Sequence, residues 1–306
     1  MAPRSIEPIR TFHWIDALRG AAAIVIVVFH YHHFYLADAG GRALIPPTET
    51  FPYSSFLKPL FEPIASRAVE LFWLISGFVF AHVYLRRRTS AWEFSFARLA
   101  RLYPLHLVTL LYVAGIQAIS MASQGHWQIY DNNDARHFVL QLFMASNWIS
   151  WSEGLSFNGP IWSVSLEIVV YGLFFLSIGI MKKAPVLVPI LLCSASWAWV
   201  LLEPVRLPLV QIGVLECSGF FFLGCLLRGL RPDLAWARAG GLALSGGCAA
   251  LLGLVTGWEL MVVSGIAAGV VSLAAGLDRL LRQRARGWAL WAISATASIW
   301  FTSRSR

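Results

Sequence analysis

Long apolar runs separated by short polar, mostly basic connections set the pattern of this chain. The first run extends from about Trp14 to Leu36, and the Pro-rich stretch behind it (Pro46, Pro47, Pro52, Pro59, Pro63) reads as a non-helical loop. The second runs from about Arg67 to Leu85 and stops at Arg86, Arg87 and Arg88. An amphipathic linker carrying Arg98 and Arg101 then leads to a third run, Leu102 to Ala122. From Ser123 to Asn158 the pattern turns polar and aromatic. Its weaker apolar stretch, Phe138 to Trp148, is too short to span a bilayer and reads as re-entrant or interfacial. A fourth run, Pro160 to Met181, ends at Lys182 and Lys183, and runs at 185–202, 209–227, 239–256 and 258–277 follow with short connections. The prediction is an all-α fold: one polytopic transmembrane bundle of about 8–9 membrane-spanning helices, forming a single domain over residues 1–306.

Composition removes the other fold classes. Hydrophobic residues make up 58% and charged residues 13% of the chain, with a mean hydropathy of +0.64, which no ordinary soluble domain combines. The net charge of +8 points to no nucleic acid, because the basic residues sit in short clusters between apolar runs and form no contiguous face. Cys193, Cys217, Cys225 and Cys248 lie within or beside apolar segments without CxxC spacing, and are expected to be small buried hydrophobes. The first apolar run is too long for a signal peptide, and no small-residue cleavage site follows it.

Charge placement orients the bundle. With the N-terminus inside and one crossing per run, 17 of the 24 Lys and Arg fall on the cytoplasmic side. Five, Arg42, Lys58, Arg67, Arg136 and Arg206, fall outside, and two lie in the C-terminal tail. The positive-inside rule therefore predicts a multi-pass protein of the inner (plasma) membrane with a cytoplasmic N-terminus. A β-barrel would show alternating segments instead.

The candidate chemistry begins with DALRGAAAIVIVVFHYHH, residues 16–33. On a helix, at about 100° per residue, Asp16, Arg19 and His30 return to nearly one face, with His30 roughly 16 Å beyond Arg19 along the axis. That depth lies near the middle of a bilayer core of roughly 30 Å, where an ionisable group is costly and usually functional. Glu167 in Trp162-Ser163-Val164-Ser165-Leu166-Glu167 enters from the opposite side and comes to a similar level. A carboxylate beside an imidazole can set its tautomer and stabilise its protonated form, as a general base on a hydroxyl requires. Arg98 and Arg101, three apart, form a fork-donor cluster suited to phosphates, although charge topology alone also accounts for them. Trp127, Trp148, Trp151 and Trp162 fit an interfacial aromatic belt; a sugar-stacking role for Trp162 beside Ser163 is the sharper alternative.

The remaining polar residues carry less. His13, His82, His106, His126 and His137 have no metal-site spacing and are assigned structural or interfacial places. His33 lies one turn beyond His30, but no third ligand is evident, so no metal is assigned. Ser76 lacks a GxSxG elbow and reads as part of a helix-packing Ser-Gly step.

Taken together, five segments resemble the integral-membrane acyltransferase 3 family, which includes O-antigen and exopolysaccharide O-acetyltransferases and macrolide acyltransferases. They are Asp16-Ala-Leu-Arg19-Gly20 with Arg19 and His30 spaced as R-x10-H, Phe72-Trp-Leu-Ile-Ser-Gly77-Phe78, Arg98-Leu-Ala-Arg101, Trp162-Ser-Val-Ser-Leu-Glu167 and Phe221-Phe-Leu-Gly224. The resemblance implies O-acyl transfer, commonly of acetyl from acetyl-CoA, to a hydroxyl of a cell-envelope glycan, a lipid-linked sugar or a similar acceptor. It places catalysis on His30, Arg19 and Glu167, with Asp16 beside Arg19, and donor binding on Arg98 and Arg101. Trp162 and Ser163 are the candidate acceptor contacts. Acyl-CoA enters as donor substrate and no cofactor is bound permanently; the bilayer is the other expected partner.

Family members usually finish with two more helices after the point where Ala292-Ile-Ser-Ala-Thr-Ala-Ser-Ile-Trp300 begins a similar motif. The expectation is a short ninth helix and an apparently truncated C-terminus. Two other classes compete with the enzyme: a transporter or flippase using His30, Arg19 and Glu167 as a proton relay, and an inactive truncated homologue.

Overall fold

The computed structural model describes residues 11–30, 67–148, 155–202 and 210–303, with side chains to Gln283. Among the described residues all regular structure is helical: α1 (His13–His30), α2 (Ala68–Tyr84), α3 (Ala91–Gln124), α4 (Ala135–Leu142), α5 (Trp162–Lys183), α6 (Leu187–Leu202), α7 (Ile212–Leu230), α8 (Trp236–Thr256) and α9 (Glu259–Ser303). Single 3₁₀ turns, Gly159–Ile161 and Pro232–Leu234, precede α5 and α8. Among the described residues six helical segments are long and apolar enough to cross a membrane, and α2 and α6, with 17 and 16 residues, are shorter apolar helices. Their outward surface is itself apolar: Leu105 and Ile119 on α3 are 71% and 69% exposed, and Leu176 on α5 is 80% exposed. Water would penalise such a surface and hydrocarbon does not, which makes this a polytopic helical membrane protein. Residues 31–66, which include the Pro-rich loop, His32, His33 and the expected end of the first helix, lie outside the described residues, as does Trp151.

Two predicted boundaries change. Arg98 and Arg101 stand on α3 itself, not on a linker before it. Ser90 and Glu93 form a capping box, Glu93 N–H donating to Ser90 Oγ at 3.2 Å and Ser90 N–H to Glu93 Oε2 at 2.9 Å. This starts the helix a full three turns earlier than the apolar run suggests. Pro104 falls inside α3 without ending it. Likewise the expected eighth and ninth helices form one helix, α9, whose basic residues Arg279 and Arg282 continue the turn without a breaker. The weak apolar run near 138–148 overlaps only the eight-residue α4, too short to span.

The chain divides into two compact units, residues 21–229 and residues 1–20 with 230–306. In the larger, α2 and α7 touch backbone to backbone. A Cβ on Gly77 would overlap the Phe221 carbonyl, and one on Gly224 would overlap the Leu74 carbonyl. The Cys225 thiol donates to the Gly77 carbonyl at 3.3 Å. Small residues at such a crossing let helices gain dispersion contacts where no hydrophobic force acts between them. Around it lies a ring cluster: Phe80 packs on Tyr171, Phe174 and Phe221, and Phe94 of α3 packs on Tyr84 and Phe174. α6 joins through Ser196 Oγ to Ser218 Oγ at 2.9 Å, and Trp197 lies against Gly219.

In the smaller unit, α8 and α9 form a hairpin turned at Gly257, whose φ of +75° suits a residue without Cβ. Gly246 and Gly265 face each other across it: a Cβ on Gly246 would lie 2.5 Å from the Gly265 carbonyl oxygen. Buried Asp278 of α9 accepts the Trp14 backbone N–H of α1 with both carboxylate oxygens, at 3.3 and 3.2 Å, and so caps that helix. Cys193, Cys217 and Cys225 are buried, but Cys248 is exposed. It stands about 200° round α8 from Gly246, on the side away from the hairpin contact, and so is not the buried hydrophobe its apolar neighbours suggest.

Gly77→Ala is expected to force α2 from α7 and to cost at least about 3 kcal/mol, the upper end for overpacking, because backbone rather than a side chain must yield. Gly247→Ala, with open space at its Cβ inside α8, is the control and should hold or raise stability by up to about 1 kcal/mol. Thermal unfolding of the two variants in detergent measures both.

Candidate active site

His30 is the last residue of α1, and its ring is tied to its own helix. Nδ1 lies 2.8 Å from the Ile26 carbonyl oxygen one turn earlier. A carbonyl only accepts, so Nδ1 carries the proton and the neutral ring keeps its lone pair on Nε2. The ring's tautomer is thus set by the backbone of its own helix. Three turns back on α1, Arg19 pairs with Asp16 at 3.6 Å, the two side chains being 31% and 62% exposed.

Glu167 stands one and a half turns into α5 and is held from two helices. Ser76 of α2 donates to Oε1 at 3.4 Å, and Tyr171, one turn further along α5, donates to Oε2. On α7, the fully buried Cys217 thiol lies close enough to feel the Glu167 charge. Ser76 is therefore more than a packing step: Gly77 makes the close approach and the hydroxyl beside it serves the carboxylate. Tyr171 was not singled out from sequence. Its i+4 spacing from Glu167 is the available signal, since that spacing stacks two side chains on one helix face.

The basic residues gather at the other end of these helices. Arg98 is half-buried, its guanidinium 4.8 Å from the Phe80 ring centroid and 5.9 Å from that of Tyr84. Its Nε is buried without a hydrogen-bond partner among the described residues. Arg101, three residues on, is exposed, so the two arginines do not share one environment. Arg87 lies over the other aromatic of the pair, 5.2 Å from the Tyr84 centroid, and its carbonyl accepts from Lys182 Nζ at 2.7 Å. Arg228 of α7 is buried and donates from Nε to His82 Nδ1 at 3.0 Å. That bond requires His82 to present a bare Nδ1, a defined tautomer which its sequence context did not reveal.

The acceptor-side candidates are positioned by the segment between α3 and α5. Trp162 meets Trp73 of α2 edge to face at 5.9 Å, and Ser163 Oγ donates to the Pro160 carbonyl at 3.4 Å. Ser165 is buried, accepting from the Asn147 N–H at 3.0 Å, while Trp148 Nε1 donates to the Ser165 carbonyl at 2.8 Å. His106 and Gln141 tie α3 to α4, His106 Nε2 donating to the Gln141 carbonyl at 2.7 Å. Asp134 caps α4 and bonds His137 through both backbone N–H and Nδ1 at 2.9 Å, and these bonds hold its carboxyl below the usual carboxylate range. A carboxylate pair missed from sequence lies on α2 and α7: Glu70, bonded to Arg67 at 3.1 Å, and Glu216, within electrostatic range of both.

These helices define a class: a membrane protein with an imidazole of set tautomer and a hydrogen-bonded carboxylate inside its spans, and a basic cluster at the ends of α2, α3, α5 and α7. The family model described as Acyltransferase domain matches residues 12–303, and the chain belongs to the acyltransferase 3 family. It is similar to Acyltransferase MdmB of Streptomyces mycarofaciens, 35% identical over 126 residues. That match covers 40% of this chain and spans 31%, about a third, of the relative's length. No solved structure matches the chain.

Asp134→Ala is expected to destabilise α4 by about 1 kcal/mol, the usual worth of an N-cap. Because the folded-state value is lowered, the wild-type advantage is complete above the ordinary carboxylate pKa and is lost as pH falls through the lowered one. Unfolding of both proteins at neutral and strongly acidic pH reads the difference.

Proposed function

We propose that this protein is a membrane O-acyltransferase that moves an acyl group, acetyl in the simplest case, from acyl-CoA to a hydroxyl of a cell-envelope glycan or related acceptor. The observation carrying the chemistry is the bond from His30 Nδ1–H to the Ile26 carbonyl, which leaves Nε2 as the basic nitrogen. His30 Nε2 takes the proton of the acceptor hydroxyl as its oxygen attacks the thioester carbonyl. The C–S bond then breaks, and the proton passes from His30 to the departing CoA thiolate. Glu167, held by Ser76 and Tyr171, supplies the negative charge that favours the imidazolium formed midway.

The donor is placed by charge. Arg98, with Nε unsatisfied, and the exposed Arg101 are the proposed partners of CoA phosphates. Arg19, paired with Asp16, is a further proposed contributor on the same helix as His30. The charge asymmetry supports a cytoplasmic N-terminus in an inner membrane, so that the donor enters from the cytoplasm at the end bearing Arg86 to Arg88. Trp162 and Ser163, at the far end of α5, are the proposed acceptor contacts.

The test is transfer of radiolabelled acetyl from acetyl-CoA in membranes expressing the chain, with cell-envelope glycan as acceptor pool. His30→Ala is expected to lower the rate at least about a hundredfold, the lower end for a general base. Arg98→Ala should raise KM for acetyl-CoA by about tenfold, the loss of one charge-assisted phosphate contact. An inserted, folded His30→Ala protein with full activity would refute the scheme.

A further inference from the structure

Between the proposed donor arginine and Glu167, among the described residues, runs a column of stacked rings. The Arg98 guanidinium lies 4.8 Å from the Phe80 centroid. Phe80 also stacks on Tyr171, with centroids 4.4 Å apart and planes within 27°, the closest stack in the cluster. The Tyr171 hydroxyl then donates to Glu167 Oε2. Phe80 and Tyr171 are both buried, at 3% and 7% exposure, and Phe174 and Phe221 close the column on its edges. Each member is fixed by the next: the stack sets the Tyr171 ring, and the ring sets where its hydroxyl meets the carboxylate.

We infer that Tyr171 is a positioning residue for acyl transfer, holding the Glu167 carboxylate in place, and that Phe80 is the shared wall that positions both Tyr171 and Arg98. The inference rests on the acyltransferase reading and assigns to two residues outside the proposed catalytic and donor sets the task of keeping those sets aligned. A phenol inside an apolar cluster has no packing advantage over phenylalanine, and its hydroxyl must be bonded to be tolerated there. The bond it makes is to the one group of α5 to which the reaction assigns a charge. Ser76 supports the opposite oxygen of the same carboxylate from α2, so the two donors together fix its plane.

The prediction is a split in kinetic parameters. Tyr171→Phe keeps the ring stack and removes only the hydroxyl; it should lower kcat by about tenfold to a hundredfold, as loss of a hydrogen bond to a charged group does, with KM for acyl-CoA unchanged. In a Glu167→Gln background the same change should cost little further, because Tyr171 acts through Glu167. Phe80→Leu should raise KM for acyl-CoA severalfold, since Arg98 loses its ring face, and lower kcat as well, since Tyr171 loses its stack; an unchanged KM and kcat would overturn its positioning role. Steady-state kinetics with radiolabelled acetyl-CoA in membranes carrying matched amounts of each protein reads all three. Wild-type protein that transfers no label overturns the acyltransferase reading and, with it, the role of Tyr171. Active wild type with Tyr171→Phe unchanged in kcat, or with its full loss repeated on Glu167→Gln, overturns this inference alone.

Discussion

The backbone contact between α2 and α7 is the constraint on which the described site depends. Gly77 and Gly224 bring each helix against the carbonyls of the other, at Phe221 and Leu74. With no side chain between them, the residues flanking the contact are placed within narrow limits: Ser76 toward α5, Phe80 into the ring cluster, and Phe221 against Phe80. In a bilayer, where apolar surface gains nothing by leaving lipid for protein, such fit has to come from dispersion and hydrogen bonding. This explains why the family-like segments Phe72 to Phe78 and Phe221 to Gly224 contain small residues among large rings. They build the crossing and leave reactive chemistry to other segments.

The polar groups inside the spans follow a consistent economy. Glu167 has two hydroxyl donors, His30 uses its own helix carbonyl, and Arg228 uses His82. Each bond offsets the cost of burying a polar group where water is scarce. It also orients the group, so that solvation and positioning are met by the same contacts. Arg98 differs. It rests on aromatic faces, and its Nε has no hydrogen-bond partner among the described residues.

The two compact units divide the motif that begins the chain. Arg19 and Asp16 belong to the smaller, His30 to the larger, although α1 runs through all three. In the smaller unit Asp278 binds the first turn of α1, and Arg282 donates to the Thr11 carbonyl at 3.2 Å. The beginning of the chain is therefore anchored by its last described helix, a link between residues 264 positions apart.

Much was legible from residues alone, and for a physical reason: hydrocarbon imposes one-dimensional rules. Span length, apolar content and the clustering of arginine are demands of the bilayer on the chain, so the helical class, most helix limits and the family-like spacing of Arg19 and His30 could be read without a fold. The sequence also carried the residues of the candidate site, because an ionisable group within an apolar run is conspicuous. It could not say what holds them. The extension of α3 back to Ala91 came from a capping box hidden in a basic stretch, and α9 ran on because nothing in its basic turn breaks a helix. That Ser76 serves Glu167, that Tyr171 and Phe80 stand between Glu167 and Arg98, and that Cys248 faces outward are matters of rotation and approach between helices. Those depend on which small residues meet across a crossing, and only the tertiary structure decides them.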